Sequence, residues 1–317
     1  MEILGRGLEK NFVEALAAAY SGSAWWKSIV EDPELFIAPR KTCVCVYYRG
    51  NRLLKLELSG GKLAGKVHYK YLLNPRLKPE YCRVIDGQAE SPKGAGGISA
   101  FIPDFSDLDL LKRASKPYAG EEKYGVSEII FANPNIIDVE VAFRDSGDSS
   151  EDDDPPPEET VLSKSHHNLR IDFVAVQKDG AGFKLAFFEA KHFANQELRS
   201  SGTPLVLKQI ATYEKLLNNN QDDIVKAYKL HCADMLKSNC VPQDSKRRRF
   251  LTMVSEQKSI IVNTEPRLVV FGFDDDQKPG PAWTPHQKKL EDCLGKDRVI
   301  LRGNAKGLVR GVRFQEP

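Results

Sequence analysis

The sequence has no apolar run approaching the roughly 18 residues that span a bilayer as a helix, and its opening MEILGRGLEKNF has no apolar core behind a basic start. The expectation from these absences is a soluble, cytoplasmic protein. It has no CxxC pair, and its six cysteines (Cys43, Cys45, Cys82, Cys232, Cys240 and Cys293) are scattered, which argues against a disulfide scaffold or a thiolate metal site. They read as reduced, structural residues, with Cys43 and Cys45 on one face of a strand. The glycine-rich stretches at 59–61 and 94–97 match neither GxxxxGK[ST] nor GxGxxG between strand and helix, so no nucleotide-binding loop is present. Internal repeats are absent as well. Net charge is small, +2 from 46 bases and 44 acids over 317 residues.

That balance hides a segregation. Residues 146–160, SGDSSEDDDPPPEET, hold seven acids and no base, which leaves the rest of the chain at net +9, enough for a basic cleft. The acidic segment lacks the apolar content to order itself, and 145–165 is read as a mobile loop. Helical spacing appears early, with Phe12, Leu16 and Ala19 aligned in LEKNFVEALAAAY, and SAWWKSIV follows as a second short helix. From 35 to 73, short runs rich in Val, Tyr and Leu are split by Arg49-Gly50-Asn51 and Ser59-Gly60-Gly61, the pattern of an antiparallel meander. A loose stretch at 84–104 suggests two parts: residues 1–100, and residues 101–317 with their own core.

In the second part, helical pieces DLDLLKRAS and EEKYGVSEIIF lead into the strands IIDVEVAF, NLRIDFVAVQ and FKLAFFEAKHF. The last two are joined by a turn at Lys178–Gly182 and should pair antiparallel. Both alternating sets are apolar, Ile171, Phe173 and Ala175 on one face and Val174 and Val176 on the other, so the sheet is covered on both sides. Helices at 204–217 and 222–237 follow, then a polar loop ending in the basic run Lys246–Arg249, read as solvated or as a contact to a phosphate backbone. The strand RLVVFGF, a helix near PHQKKLEDCL and a strand near RVILRG complete the pattern. Trp25-Trp26 reads as core or interface, and His166-His167 as two rings facing opposite ways.

Charges inside the buried strands carry the chemistry. Asp172 interrupts LRIDFVAV, and Glu189 and Lys191 share a face at the end of FKLAFFEAK. Each buried ion costs several kcal/mol unless it is paired or binds a metal. One account is a structural salt bridge. The other is a divalent cation held by Asp172, Glu189 and the Ala190 carbonyl, with Lys191 acting on the attacking water or on the phosphate.

Ile171-Asp172, about 16 residues, then Glu189-Ala190-Lys191 across a hairpin resembles the PD-(D/E)XK nuclease superfamily. In the next helix, Gln209-Ile210-Ala211-Thr212-Tyr213 is similar to the QxxxY element of its RecB-like branch. The resemblance covers about 105–275, and Ile171 stands where the family name has proline. It implies a restriction-endonuclease-like α/β/α core with a mixed sheet, and Mg²⁺ or Mn²⁺ bound by Asp172 and Glu189 while Lys191 assists the attacking water. A further acid would come from the preceding helix, with Glu128 the candidate and Glu121 and Glu122 its competitors. Gln209 would orient substrate or ligands, and Tyr213 would pack beneath the site. The substrate implied is nucleic acid, DNA ahead of RNA. Residues 1–100 are left to bind substrate, to dimerise or to engage a protein partner. A nucleic-acid-binding module with this fold and no turnover is the alternative.

Overall fold

A computed structural model describes residues 3–68, 71, 81–89, 108–143, 170–180, 182–200, 202–257 and 259–303. The acidic segment, the paired histidines and the glycines at 94–97 lie outside the described residues.

Two helices open the chain, α1 (Lys10–Gly22) and α2 (Ala24–Glu31). Six strands follow, β1 (Leu35–Pro39), β2 (Val44–Tyr48), β3 (Asn51–Ser59), β4 (Lys62–His68), β5 (Tyr81–Ile85) and β6 (Gln88–Ala89), each antiparallel to the next. This is the expected meander, extended by β5, which starts ahead of the loose stretch, and by β6 within it. One face carries Ile37, Val44, Val46 and Leu54, packed with Phe12, Leu16 and the fully buried Trp26. The other face presents Phe36, Ala38, Cys43, Cys45 and Tyr47.

The second half runs α3 (Leu108–Ser115), α4 (Glu121–Ala132), β7 (Ile136–Ala142), β8 (Arg170–Asp179), β9 (Gly182–His192), α5 (Leu205–Asn219), α6 (Gln221–Lys237), α7 (Arg247–Glu256), β10 (Ile260–Val262), β11 (Arg267–Phe271), α8 (Thr284–Leu294) and β12 (Val299–Arg302). The sheet order is β12-β11-β9-β8-β7. The β7–β8–β9 part is antiparallel, whereas β11 and β12 continue parallel to β9, and β10 pairs parallel with the first residues of β9. The protein is therefore a mixed α/β structure with one antiparallel and one mixed sheet. Both faces of the mixed sheet are covered. Val174, Val176, Leu185 and Phe187 pack against Tyr213 and Leu217 of α5 and Tyr228 of α6, while Phe173, Ala175, Ala186 and Phe188 share a core with α4 and with the second face of the meander.

Contacts cross the expected boundary near residue 100 in both directions. Ile3 and Leu4 belong to the core under α6, and Leu108 and Leu111 of α3 belong to the meander's core. Buried charge ties the halves together. Asp138 accepts from Arg6 Nε at 3.0 Å and Nη2 at 2.7 Å, from Arg40 Nη1 at 3.0 Å and from the Tyr228 hydroxyl at 3.2 Å. Burial would raise the Asp138 pKa, but the two guanidiniums outweigh it and hold the carboxyl below its usual range.

Three details differ from expectation. The basic run does not form a solvated loop: it opens α7, and Arg247 Nε donates to the Ile136 carbonyl at 2.8 Å with its guanidinium over the Phe36 ring. Helix α5 begins at Leu205 with Pro204 as its N-cap, one residue later than the expected start at 204. Ile171 shares its core with Val174 and Val176, not with Phe173. The change falls where Glu140 of β7, opposite Asp172 in the ladder, adopts a left-handed φ of 49°.

Candidate active site

The β8–β9 ladder ends at Phe173↔Phe188. Beyond it, β8 stays with β7 through Ile171↔Val141, while β9 pairs with β11 through Glu189↔Leu268 and Lys191↔Val270. The strands thus part just where Asp172 and Glu189 would face each other. The Ala190 N–H, past the end of the ladder, finds its acceptor in Asp172 Oδ2 at 2.6 Å. Ala190 itself pairs in register with Val269, and its methyl group lies in the shared core.

Lys191 Nζ lies 3.0 Å from Glu189 Oε1 and 2.7 Å from Glu197 Oε2. Glu197 is an addition to the expected set: it sits on a single 3-10 turn, Gln196–Leu198, capped by the Asn195 side chain, which folds back toward the strand end. Burial raises the Asp172 pKa well above the carboxylate range, and repulsion from Glu189 adds to it. Glu189 is pushed from 4.5 up to about 7 by burial, against the pull of Lys191. For Lys191, burial alone would lower the pKa, but Glu189, Asp172 and Glu197 overcome it and the pKa rises. One ammonium therefore faces a surplus of carboxylates.

Helix α4 supplies another acid. Glu122 Oε2 accepts the His192 N–H at 2.9 Å and Asn195 Nδ2 at 2.6 Å, and it lines the same cavity as Asp172 and Glu140. Glu128 does not line that cavity and interacts with Tyr124, so of the three candidate acids on α4 it is Glu122 that stands at the site. Gly125 explains the placement. A Cβ there would collide with the Phe271 ring, so glycine lets α4 lie close on the sheet without ending the helix. Glu121 is exposed, 3.8 Å from His192 Nε2. The His192 ring points away from Lys191, edge-on to Phe271.

Helix α5 closes the other side. Val206, Ile210, Tyr213 and Leu217 form its buried stripe, and the Tyr213 hydroxyl donates to the Arg170 carbonyl two residues before Asp172. Tyr213 thereby fixes the start of β8 while packing against Phe143. Gln209, one turn earlier, has a buried Oε1 with no partner among the described residues.

A divalent cation fits this donor set. Glu189 Oε2 is buried without a partner among the described residues, and burial raises the pKa of both Asp172 and Glu189, so a bound cation would offset the cost of their charge. No three Asp, Glu, His or Cys side chains among the described residues form a cluster able to hold a metal alone. Two carboxylates completed by water and substrate oxygens are a coordination that Mg²⁺ accepts. No helix among the described residues is long and apolar enough to cross a membrane. Compared with known proteins, the chain matches no family model, no curated protein and no solved structure.

Proposed function

We propose that the protein is a metal-dependent nuclease that hydrolyses phosphodiester bonds in DNA, built on a restriction-endonuclease-like core in the order α4-β7-β8-β9-α5-β11. The observation that carries this reading is the parting of β8 and β9 at Asp172 and Glu189, with Lys191 Nζ 3.0 Å from Glu189. Asp172 and Glu189 would hold Mg²⁺ or Mn²⁺, which when bound supplies positive charge to the phosphate oxygens and a more acidic water. Lys191, kept protonated by its acidic neighbours, stabilises the negative charge that develops on the phosphorane oxygens. Glu197 and Glu189 hold its ammonium from two sides, and Tyr213 keeps Asp172 in position through the Arg170 carbonyl. Glu122 anchors the end of β9 through the His192 N–H.

The test is incubation of the purified protein with linear DNA, circular DNA and RNA in EDTA, Mg²⁺ or Mn²⁺, beside a Lys191→Ala variant verified as folded. Metal-dependent products that fall by at least about 100-fold in the variant are expected, the scale of one lost electrostatic contact to a transition state. A folded, metal-supplied protein that cleaves nothing would leave a binding module without turnover.

A further inference from the structure

The cavity beside Asp172 is formed jointly by the two halves of the chain. Its space of about 170 Å³ lies between the β2–β3 hairpin, α4, β7 and β8. Phe36 and Tyr47 of the meander and Val126 and Ile130 of α4 give it apolar walls, and Ser127 and Glu140 offer hydrogen-bonding groups. The hairpin tip brings cations. Tyr48 pairs with Asn51, and the two residues between them, Arg49 and Gly50, have φ of 49° and 74°, as a type I′ turn requires.

Arginine is a poor choice for a left-handed position, where Gly, Asn or Asp avoid the steric cost. The tip is nevertheless firmly seated. A Cβ on Gly50 would stand 2.8 Å from Lys123 Cβ and 3.2 Å from the Lys123 carbonyl oxygen, so the hairpin touches α4 directly. The Arg49 guanidinium lies over the Tyr124 ring at 4.6 Å, and both Arg49 and Lys123 line the cavity. An arginine held in a strained turn at the wall of a pocket that reaches a candidate catalytic acid is placed for a ligand.

We propose that this cavity seats one unpaired nucleotide of the substrate, its base between the apolar walls and its phosphate on Arg49, so that the enzyme acts on single-stranded or locally unpaired DNA. This rests on the nuclease reading, since Asp172 at the cavity wall sets the seated nucleotide next to the cleaved bond. A stacked, paired base cannot enter so small a pocket without being unpaired and swung out, which favours substrates where that has already happened. The meander is then the part of the protein that selects substrate.

Binding and turnover separate the two ideas. Fluorescence anisotropy with Ca²⁺ in place of Mg²⁺ would compare a single strand of about twelve nucleotides, within the site size of such grooves, with its abasic counterpart and its duplex. The single strand should bind about 5- to 150-fold more tightly than the abasic strand, the range spanned by one base stacked on side chains. Arg49→Gly suits the left-handed φ, so folding is preserved; it should weaken single-strand binding about 10-fold. It should also reduce the slope of log affinity against log salt by about 0.7. Equal affinity for abasic and normal strands, an unchanged salt slope in Arg49→Gly, or no binding of any oligonucleotide overturns the proposal. Base- and Arg49-dependent binding with no cleavage in Mg²⁺ or Mn²⁺ upholds the pocket and removes the nuclease reading. Cleavage of duplex as readily as single strand upholds the nuclease and overturns the pocket.

Discussion

Replacing Glu189 by glutamine separates a site that waits for a cation from a network that holds the fold together, because the two give opposite signs. Glu189 is almost fully buried, and burial raises its pKa from 4.5 to about 7. A carboxyl with a raised pKa binds its proton more tightly in the folded chain. Its contribution is therefore fully present below pH 4.5 and is lost as pH rises through about 7. The loss at pH 8 is about 3 kcal/mol, taking 1.36 kcal/mol per pKa unit. Glutamine stays neutral at every pH and has nearly the shape of protonated glutamate. Lys191 loses one partner but keeps Glu197 at 2.7 Å, which trims the gain. Urea unfolding in EDTA should show Glu189→Gln equal to the wild type near pH 4.5 and more stable by about 1–3 kcal/mol at pH 8, with the difference developing between pH 5 and 7. Mn²⁺ at pH 8 should stabilise the wild type and leave the variant unmoved. Destabilisation by about 3–5 kcal/mol at pH 8, the cost of breaking a structural buried pair, would refute the reasoning.

Asp138→Asn removes the carboxylate that pairs with both buried Arg6 and Arg40 and should cost about 3–5 kcal/mol, read as a drop in Tm or in urea midpoint. The wild type should also weaken as pH falls from 6.5 to about 4, because burial holds His231 neutral with its pKa lowered to about 4 and only the unfolded chain takes up the proton; His231→Gln should remove that part of the acid sensitivity. Gly125→Ala pushes a methyl group into the Phe271 ring and should destabilise by about 1–3 kcal/mol in the same unfolding assay.

Much of the site is legible in the sequence because charge inside an apolar alternation is costly and therefore informative. Asp172, Glu189 and Lys191 stand out for that reason, and the structure brings them together. The stripe Val206, Ile210, Tyr213, Leu217 likewise carries α5. Asp138 interrupts IIDVEVAF in the same way, yet its partners Arg6 and Arg40 are 132 and 98 residues distant, with no local pattern to connect them. Glu122 cannot be told from Glu128 by spacing alone, because only the packed structure shows that Gly125 lets helix approach sheet. Glu197 depends on a strand-end turn that brings it back to Lys191, a geometry without periodicity. At the start of α7, four consecutive basic residues obscure Phe250, Leu251 and Val254, and it takes the Ile136 and Ile130 carbonyls and the Phe36 ring, all distant in sequence, to account for the seating of Arg247.

The seating of residues 3–8 beneath α6 bears on how the chain folds as it is made. The Leu8 N–H donates to the Asp234 carboxylate across 226 residues. At about 5–20 residues per second of synthesis, Leu8 waits on the order of 10–45 s for that partner to be made. The first half therefore reaches its final packing only after α6 has been made, and cannot do so as an independent unit.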